Sequence, residues 1–305
     1  MTEDHAQYGT YLFTPAQFLG HPTVFPPKAQ GKLPVSAQFI VPGLRLANKD
    51  RKRLTQLAQK CGIDLWAVDT KSAQNERTKE SATLFTLAFY VSPASNEDKN
   101  GEVAISTSRL LVERFLGLLS FFAGTRLSFA HLQATTIGKE GHYIGVLPPA
   151  GRASTPPTLV DFPDDVSNIA PSDDVYSALF WLRRGLAERD PIETFSALMV
   201  CLQIMARHIV VRRGASITSL VRELVVSRLG ASPQLFNRLW KARNAVVAHG
   251  NLPITPEVVL ELIGLKIEAA ILAFNSIKLS LGMPMDEPPL LAQTCFETDA
   301  YIYLD

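Results

Sequence analysis

Cysteine is scarce in this chain. Its 305 residues hold three, Cys61, Cys201 and Cys295, which lie far apart, and at least one must stay unpaired within the chain. That argues against a disulfide scaffold or a thiolate zinc site and fits a reducing compartment. An excess of one charge is missing too. Thirty Lys and Arg face 29 Asp and Glu, a net charge of +1 with a pI near 7.7, so the global balance singles out neither nucleic acid nor membrane. The longest nearly apolar stretches, such as "ALMVCLQIMA" and "LLSFFAG", fall well short of the roughly 20 residues of a membrane span. The N-terminal "MTEDHAQYGTYLF" puts acids where a secretion signal carries lysines. A cytoplasmic protein without a membrane partner is the expectation. No P-loop, dinucleotide fingerprint, nucleophile elbow or zincin motif occurs. His131 and His142 lack Cys, Asp or Glu at ligand spacing, so neither metal nor cofactor is expected.

What remains is the composition of a folded protein, 47% hydrophobic and 19% charged, with a mean hydropathy of +0.09. The length suits two ordinary domains. In the first half, "PVSAQFIVPGLRL" (34–46), "IDLWAVDT" (63–70), "ESATLFTLAFYVS" (80–92), "RLSFAHLQATTIG" (126–138) and "HYIGVLPP" (142–149) have the β-branched and aromatic content of strands. Between them, "NKDRKRLTQLAQKCG" (48–62) and "STSRLLVERFLGLLSFFAG" (106–124) carry apolar residues at helical spacing, with a turn over 95–101. The front half, residues 1–148, is therefore expected to be an α+β domain. Residues 149–172 are rich in proline and aspartate, Pro156, Pro157, Pro163 and Pro171 among them, and are read as a linker.

Residues 173–282 are expected to form an all-α antiparallel bundle of five helices, followed by a tail over 283–305. Asp173 or Asp174 is placed to cap the first helix, and Asp190 with Pro191 to open the second. Ser216 opens a third that stops at Gly230, and Ser232 with Pro233 opens a fourth that closes at Gly250. Thr255 with Pro256 opens the last, which runs to about Gly282.

The fourth helix ends on "KARNAVVAHGN", residues 241–251, with Arg243 and Asn244 ahead of His249. An Arg followed within a few residues by His is a cheap pattern, and Arg126 with His131 meets it as well. Asn directly after Arg and Gly directly after His make the second occurrence sharper, although Gly is also a common helix stop. On a regular helix, six positions give about 9 Å of rise and roughly 120° of rotation. Arg243 and His249 of one chain would then not face each other. Cooperation requires either a distorted last turn or a second copy of the chain across a two-fold contact. A histidine at a helix C-terminus is favoured as imidazolium and can serve as an acid, while an arginine can hold a phosphate. The same residues also fit a plain structural role, a cation beside the last carbonyls and a surface ion pair.

Between Trp181 and His249 there are eleven basic residues and four acids, a local net of +7. Such a stripe suits an RNA backbone, or forms a solvated face balanced by the acidic linker. Trp66, Trp181 and Trp240 are read as core or interface aromatics.

"ALFWLRRGLAERDPIETFSALMVCLQIMARHIV", then a helix, then "LWKARNAVVAHGN", resembles the HEPN superfamily of helical bundles over about residues 173–282. The resemblance implies a homodimer and a metal-independent endoribonuclease that leaves a cyclic phosphate end. It assigns His249 an acid/base role, Arg243 the stabilisation of the transition state, and Asn244 the orientation of the site. Where relatives often carry Glu in the middle of the second helix, this chain has Gln203. The whole-chain layout is also similar to the MauJ family of methylamine-utilisation accessory proteins, which implies a non-catalytic interaction protein with a protein partner at the front domain.

Overall fold

The computed structural model describes residues 6–8, 11–13, 31–42, 44, 48–61, 65–74, 81–96, 99–124, 127, 132–136, 142–145, 169–186, 190–248 and 256–285. The chain divides into two compact units, Met1–Leu116 with Leu127–Asn168, and Gly117–Arg126 with Ile169–Asp305. The sequence-based boundary needs one amendment. The end of the long helix of the front half groups with the helical unit, for reasons of packing given below.

The first unit is α+β. A small hairpin pairs β1 (Ala6–Tyr8) with β2 (Tyr11–Phe13), two short strands the sequence reading does not anticipate. The main sheet has five antiparallel strands: β3 (Leu33–Pro42), β4 (Leu65–Gln74), β5 (Ser81–Val91), β6 (Leu132–Thr136) and β7 (His142–Gly145). Their order is β4-β5-β3-β6-β7. Strand period two puts Phe39 and Phe85 opposite each other in the β3–β5 register. Their rings stack at 5.1 Å, and Phe115 meets both edge-on at 6.2 and 5.4 Å. The opposite phase of the same strands buries polar groups, and Gln38 Nε2 donates to Thr86 Oγ1 at 3.4 Å. Helix α1 (Asn48–Gln59) buries Leu54, Leu57 and Ala58.

Helix α2 (Asn100–Ala123) starts six residues ahead of the expected Ser106. The reason is local: Asn100 is buried, and its Oδ1 accepts from the Ala94 amide at 2.8 Å, tying the preceding loop to the helix start. Arg114 Nη1 donates to the carbonyl of Cys61 at 3.1 Å, fastening α2 to the end of α1.

Among the described residues of the second unit, every element is helical. These are the end of α2, α3 (Asp173–Gly185), α4 (Pro191–Ile209), α5 (Ile217–Arg222), α6 (Pro233–Arg243) and α7 (Pro256–Ser280). Phe121 of α2 stacks on Phe274 of α7 at 5.5 Å, which explains why this part of α2 belongs here. Three caps are those expected. The Asp190 carboxylate accepts from the amides of Ile192 and Glu193, the Ser216 hydroxyl from Ser219, and the Ser232 hydroxyl from Leu235. The first cap is a correction: Ser172, not Asp173 or Asp174, accepts from the Val175 amide at 3.3 Å. The two acids sit instead in the first turn, where they complement the positive end of the helix.

Helix α4 packs against α3, α5 and α7 and buries Phe195, Leu198, Leu202 and Met205 completely. Gly185 permits the α3–α4 contact, since a Cβ there would stand 2.9 Å from Leu198 Cγ. As a whole, α4 is longer and more apolar than the runs inside it suggest. It is the one described helix long and apolar enough to cross a membrane, though half of that window is buried inside the protein. Two helices depart from expectation by widening before they end: α5 continues as a π-helical segment over Glu223–Arg228, and α6 as another over Asn244–Ala248. The decoy pair Arg126 and His131, most of the 149–172 linker, Gly250, Thr255 and most of the tail lie outside the described residues.

Candidate functional site

Helix α6 builds the site. Ser232 and Pro233 fix its start, and Phe236 and Leu239 are buried beneath it. Spacings of four and three residues then bring Phe236, Trp240 and Arg243 onto one face. Phe236 and Trp240 stack with centroids 5.9 Å apart and 18° between planes. The Arg243 guanidinium lies 5.2 Å from the Trp240 ring centre. At the other end, Arg222 of α5 lies 5.9 Å over Phe236. The four side chains form one ladder, Arg222–Phe236–Trp240–Arg243. Each terminal cation abuts a π-helical segment, since Arg222 directly precedes Glu223–Arg228 and Arg243 directly precedes Asn244–Ala248. Single π turns inside helices concentrate at functional sites.

Arg243 is half-buried and held on two sides. Its Nη1 donates to Asn244 Oδ1 at 3.1 Å, and the ring of Trp240 supports the guanidinium plane. Its Nε, by contrast, is buried without a hydrogen-bond partner. A guanidinium is a fork of five N–H donors, and leaving one buried and unpaired costs about 1–3 kcal/mol. An anion that reached this donor, once the groups covering it moved aside, would be bound by charge-assisted bonds.

Of the three candidates from the sequence, the structure therefore brings Arg243 and Asn244 into direct contact. His249 lies outside the described residues, as do Gly250 and Asn251. The turn that leads toward His249 is π-helical, so the regular-helix geometry behind the 120° separation does not apply to it. Gln203 is half-buried on α4 and makes no hydrogen bond among the described residues.

The charge around the ladder is uneven. Arg212 pairs with Glu223 and Arg238 with Glu261, each at 3.8 Å. Arg222, Arg228 and Lys241 are exposed and have no carboxylate partner among the described residues. Arg183 is a different case. Burial lowers its pKa to about 10, still well above neutrality, and it contributes charge from a half-buried position. Trp181, read as a core or interface aromatic, is half-buried; it stands edge-on to the exposed Phe180 and carries Arg184 at 5.4 Å from its ring. No group of acidic, histidine or cysteine side chains suited to a metal ion occurs among the described residues.

Sequence reasoning missed Phe236 and Arg222 as neighbours of the site. The first was legible, because Phe236, Trp240 and Arg243 share a helical period. Arg222 was not, because only packing brings α5 onto α6. Comparison with models of known families, with curated proteins and with solved structures finds no match for this chain.

Proposed function

We propose that the helical unit is a HEPN-type antiparallel bundle acting in the cytoplasm as a dimeric, metal-independent endoribonuclease. The observation that carries this reading is Arg243, a guanidinium fixed by Asn244 and Trp240 and left with a buried, unpaired Nε. In this reading Arg243 binds the scissile phosphate and offsets the charge that develops on its oxygens, as preorganised donors do. Asn244 keeps the fork aimed. His249 moves protons as the ribose 2′-hydroxyl attacks phosphorus and the 5′-oxygen leaves, giving a 2′,3′-cyclic phosphate and a 5′-hydroxyl. Two copies meeting across a two-fold axis would bring two Arg–His sets to one cleft. The test is cleavage of structured RNAs by purified protein in EDTA, beside His249→Ala and Arg243→Ala. Cutting with cyclic ends by the wild type alone supports the reading. Equal cutting by all three, or none by any, removes it.

A second reading rests on Gln203. A neutral amide cannot hold an arginine or histidine as a carboxylate does, which favours a non-catalytic accessory module of the MauJ type with a protein partner at the front domain. It predicts that His249→Ala leaves cellular function intact. Loss of function in that variant, together with loss of RNase activity, would count against it.

A further inference from the structure

The ladder beside Arg243 has an open end. A guanidinium is planar, and the Arg222 group stands over the Phe236 ring with its central carbon 5.9 Å from the ring centre. Its side chain is exposed and has no hydrogen bond or ion pair among the described residues, so its planar group is accessible from solvent. The inner rings each have two partners already: Phe236 meets Arg222 and Trp240, and Trp240 meets Phe236 and Arg243. Of the two terminal cations Arg222 is exposed and Arg243 half-buried, so a further flat group meets the ladder most readily at Arg222.

We propose that Arg222 is a stacking platform for one unpaired nucleobase, and that the site takes single-stranded RNA with that base to one side of the phosphate held by Arg243. This rests on the endoribonuclease reading above and adds to it the class of substrate. Three observations favour a base over other flat groups. The platform is cationic and so attracts a polyanion. It continues an aromatic stack, and its contact with Phe236 restricts the guanidinium before any base arrives, which lowers the cost of binding. Finally, the ladder leads on to a second cation with an unused buried donor, which supplies a phosphate contact on the same face of the helix. Bases stack on arginine planes when splayed out of a helix, whereas the faces of paired bases are covered by their neighbours. A duplex can therefore reach the surrounding charge but not the platform.

The test uses the full chain carrying His249→Ala, so that bound RNA is not consumed, and follows fluorescence anisotropy in EDTA at fixed salt. The probes are a labelled 12-nucleotide oligouridylate and a 12-base-pair RNA duplex. The single strand is expected to bind about 10-fold tighter than the duplex, within what one stacked base contributes. Arg222→Ala and Arg222→Lys should both remove that preference while weakening duplex binding less than about 3-fold, because lysine keeps the charge but not the plane. Lys241→Ala should weaken both probes alike, as a phosphate contact does. If Arg222→Lys keeps the full preference, or Arg222→Ala weakens both probes equally, the residue is a plain charge and the platform is overturned. That outcome leaves the nuclease reading intact when Arg243→Ala, in a chain with its histidine, still abolishes cleavage. Binding of neither probe overturns both.

Discussion

Arg243 and Asn244 are adjacent in the chain and also joined through their side chains, Nη1 donating to Oδ1 at 3.1 Å. Neighbouring residues on a regular helix point about 100° apart. Here the α-helix ends at Arg243 and the π-helical segment begins at Asn244. The bond ties the last α turn to the first wide one.

If Arg243 is kept for an anion, it should contribute little to folding. Arg243→Leu removes a cation–π contact and one hydrogen bond but also removes the unpaired buried Nε, so stability should change by no more than about 1 kcal/mol. Cleavage should fall by about 10²–10³. Urea melts and single-turnover rates read the two effects separately. A loss of more than about 2 kcal/mol would instead make Arg243 a structural residue.

Asn244→Asp should be more damaging to function than Asn244→Ala. The carboxylate would pair with the Arg243 guanidinium and compete with a phosphate for it. The expected result is about 10-fold loss of RNA affinity for the aspartate variant at low salt, shrinking as salt rises. Equal affinities for the two variants would show that Asn244 does not act through Arg243.

Gly185→Ala should destabilise the helical unit although alanine is the better helix former. The new methyl would stand 2.9 and 3.0 Å from two side-chain carbons of Leu198, which is fully buried. Overpacking costs about 1–3 kcal/mol against a propensity gain of about 1 kcal/mol. A thermal melt at or above the wild-type temperature would show that α3 and α4 have room to separate.

The pH dependence of stability has one marked contribution from Cys201. Burial pushes its thiol pKa well above the ordinary value, so the folded chain keeps a proton that the unfolded chain releases. The associated stability is fully present below the unfolded pKa of about 8.5 and is lost as pH rises beyond it. Urea midpoints should fall above that pH, and Cys201→Ala should flatten the decline. Iodoacetamide should label Cys201 in urea and not in the native protein; native labelling at pH 8 would contradict the burial.

The aromatic core of the first unit offers a control that leaves the candidate site untouched. Phe115 touches both Phe39 and Phe85, and Phe115→Ala should cost about 3–5 kcal/mol. A circular dichroism melt would show it.

Local signals were readable from the chain alone wherever one residue type has one physical reason to be there. Asp190 before Pro191, Ser216, and Ser232 before Pro233 cap helices because short oxygen-bearing side chains meet free amides at helix starts. The five strands of the main sheet were legible from their β-branched and aromatic content, though the hairpin of β1 and β2 was not, and the sharing of one helix face by Phe236, Trp240 and Arg243 from the period of the helix. The tertiary structure decided what depends on residues far apart in sequence. Strand order β4-β5-β3-β6-β7 comes from long-range pairing, and the end of α2 joins the helical unit because Phe121 finds Phe274. The seating of Arg222 on Phe236 follows from how α5 and α6 pack, and the two π-helical segments have no signature in the local sequence. Helix propensity is set within a few residues, whereas a ladder across two helices exists only once apolar burial has brought them together.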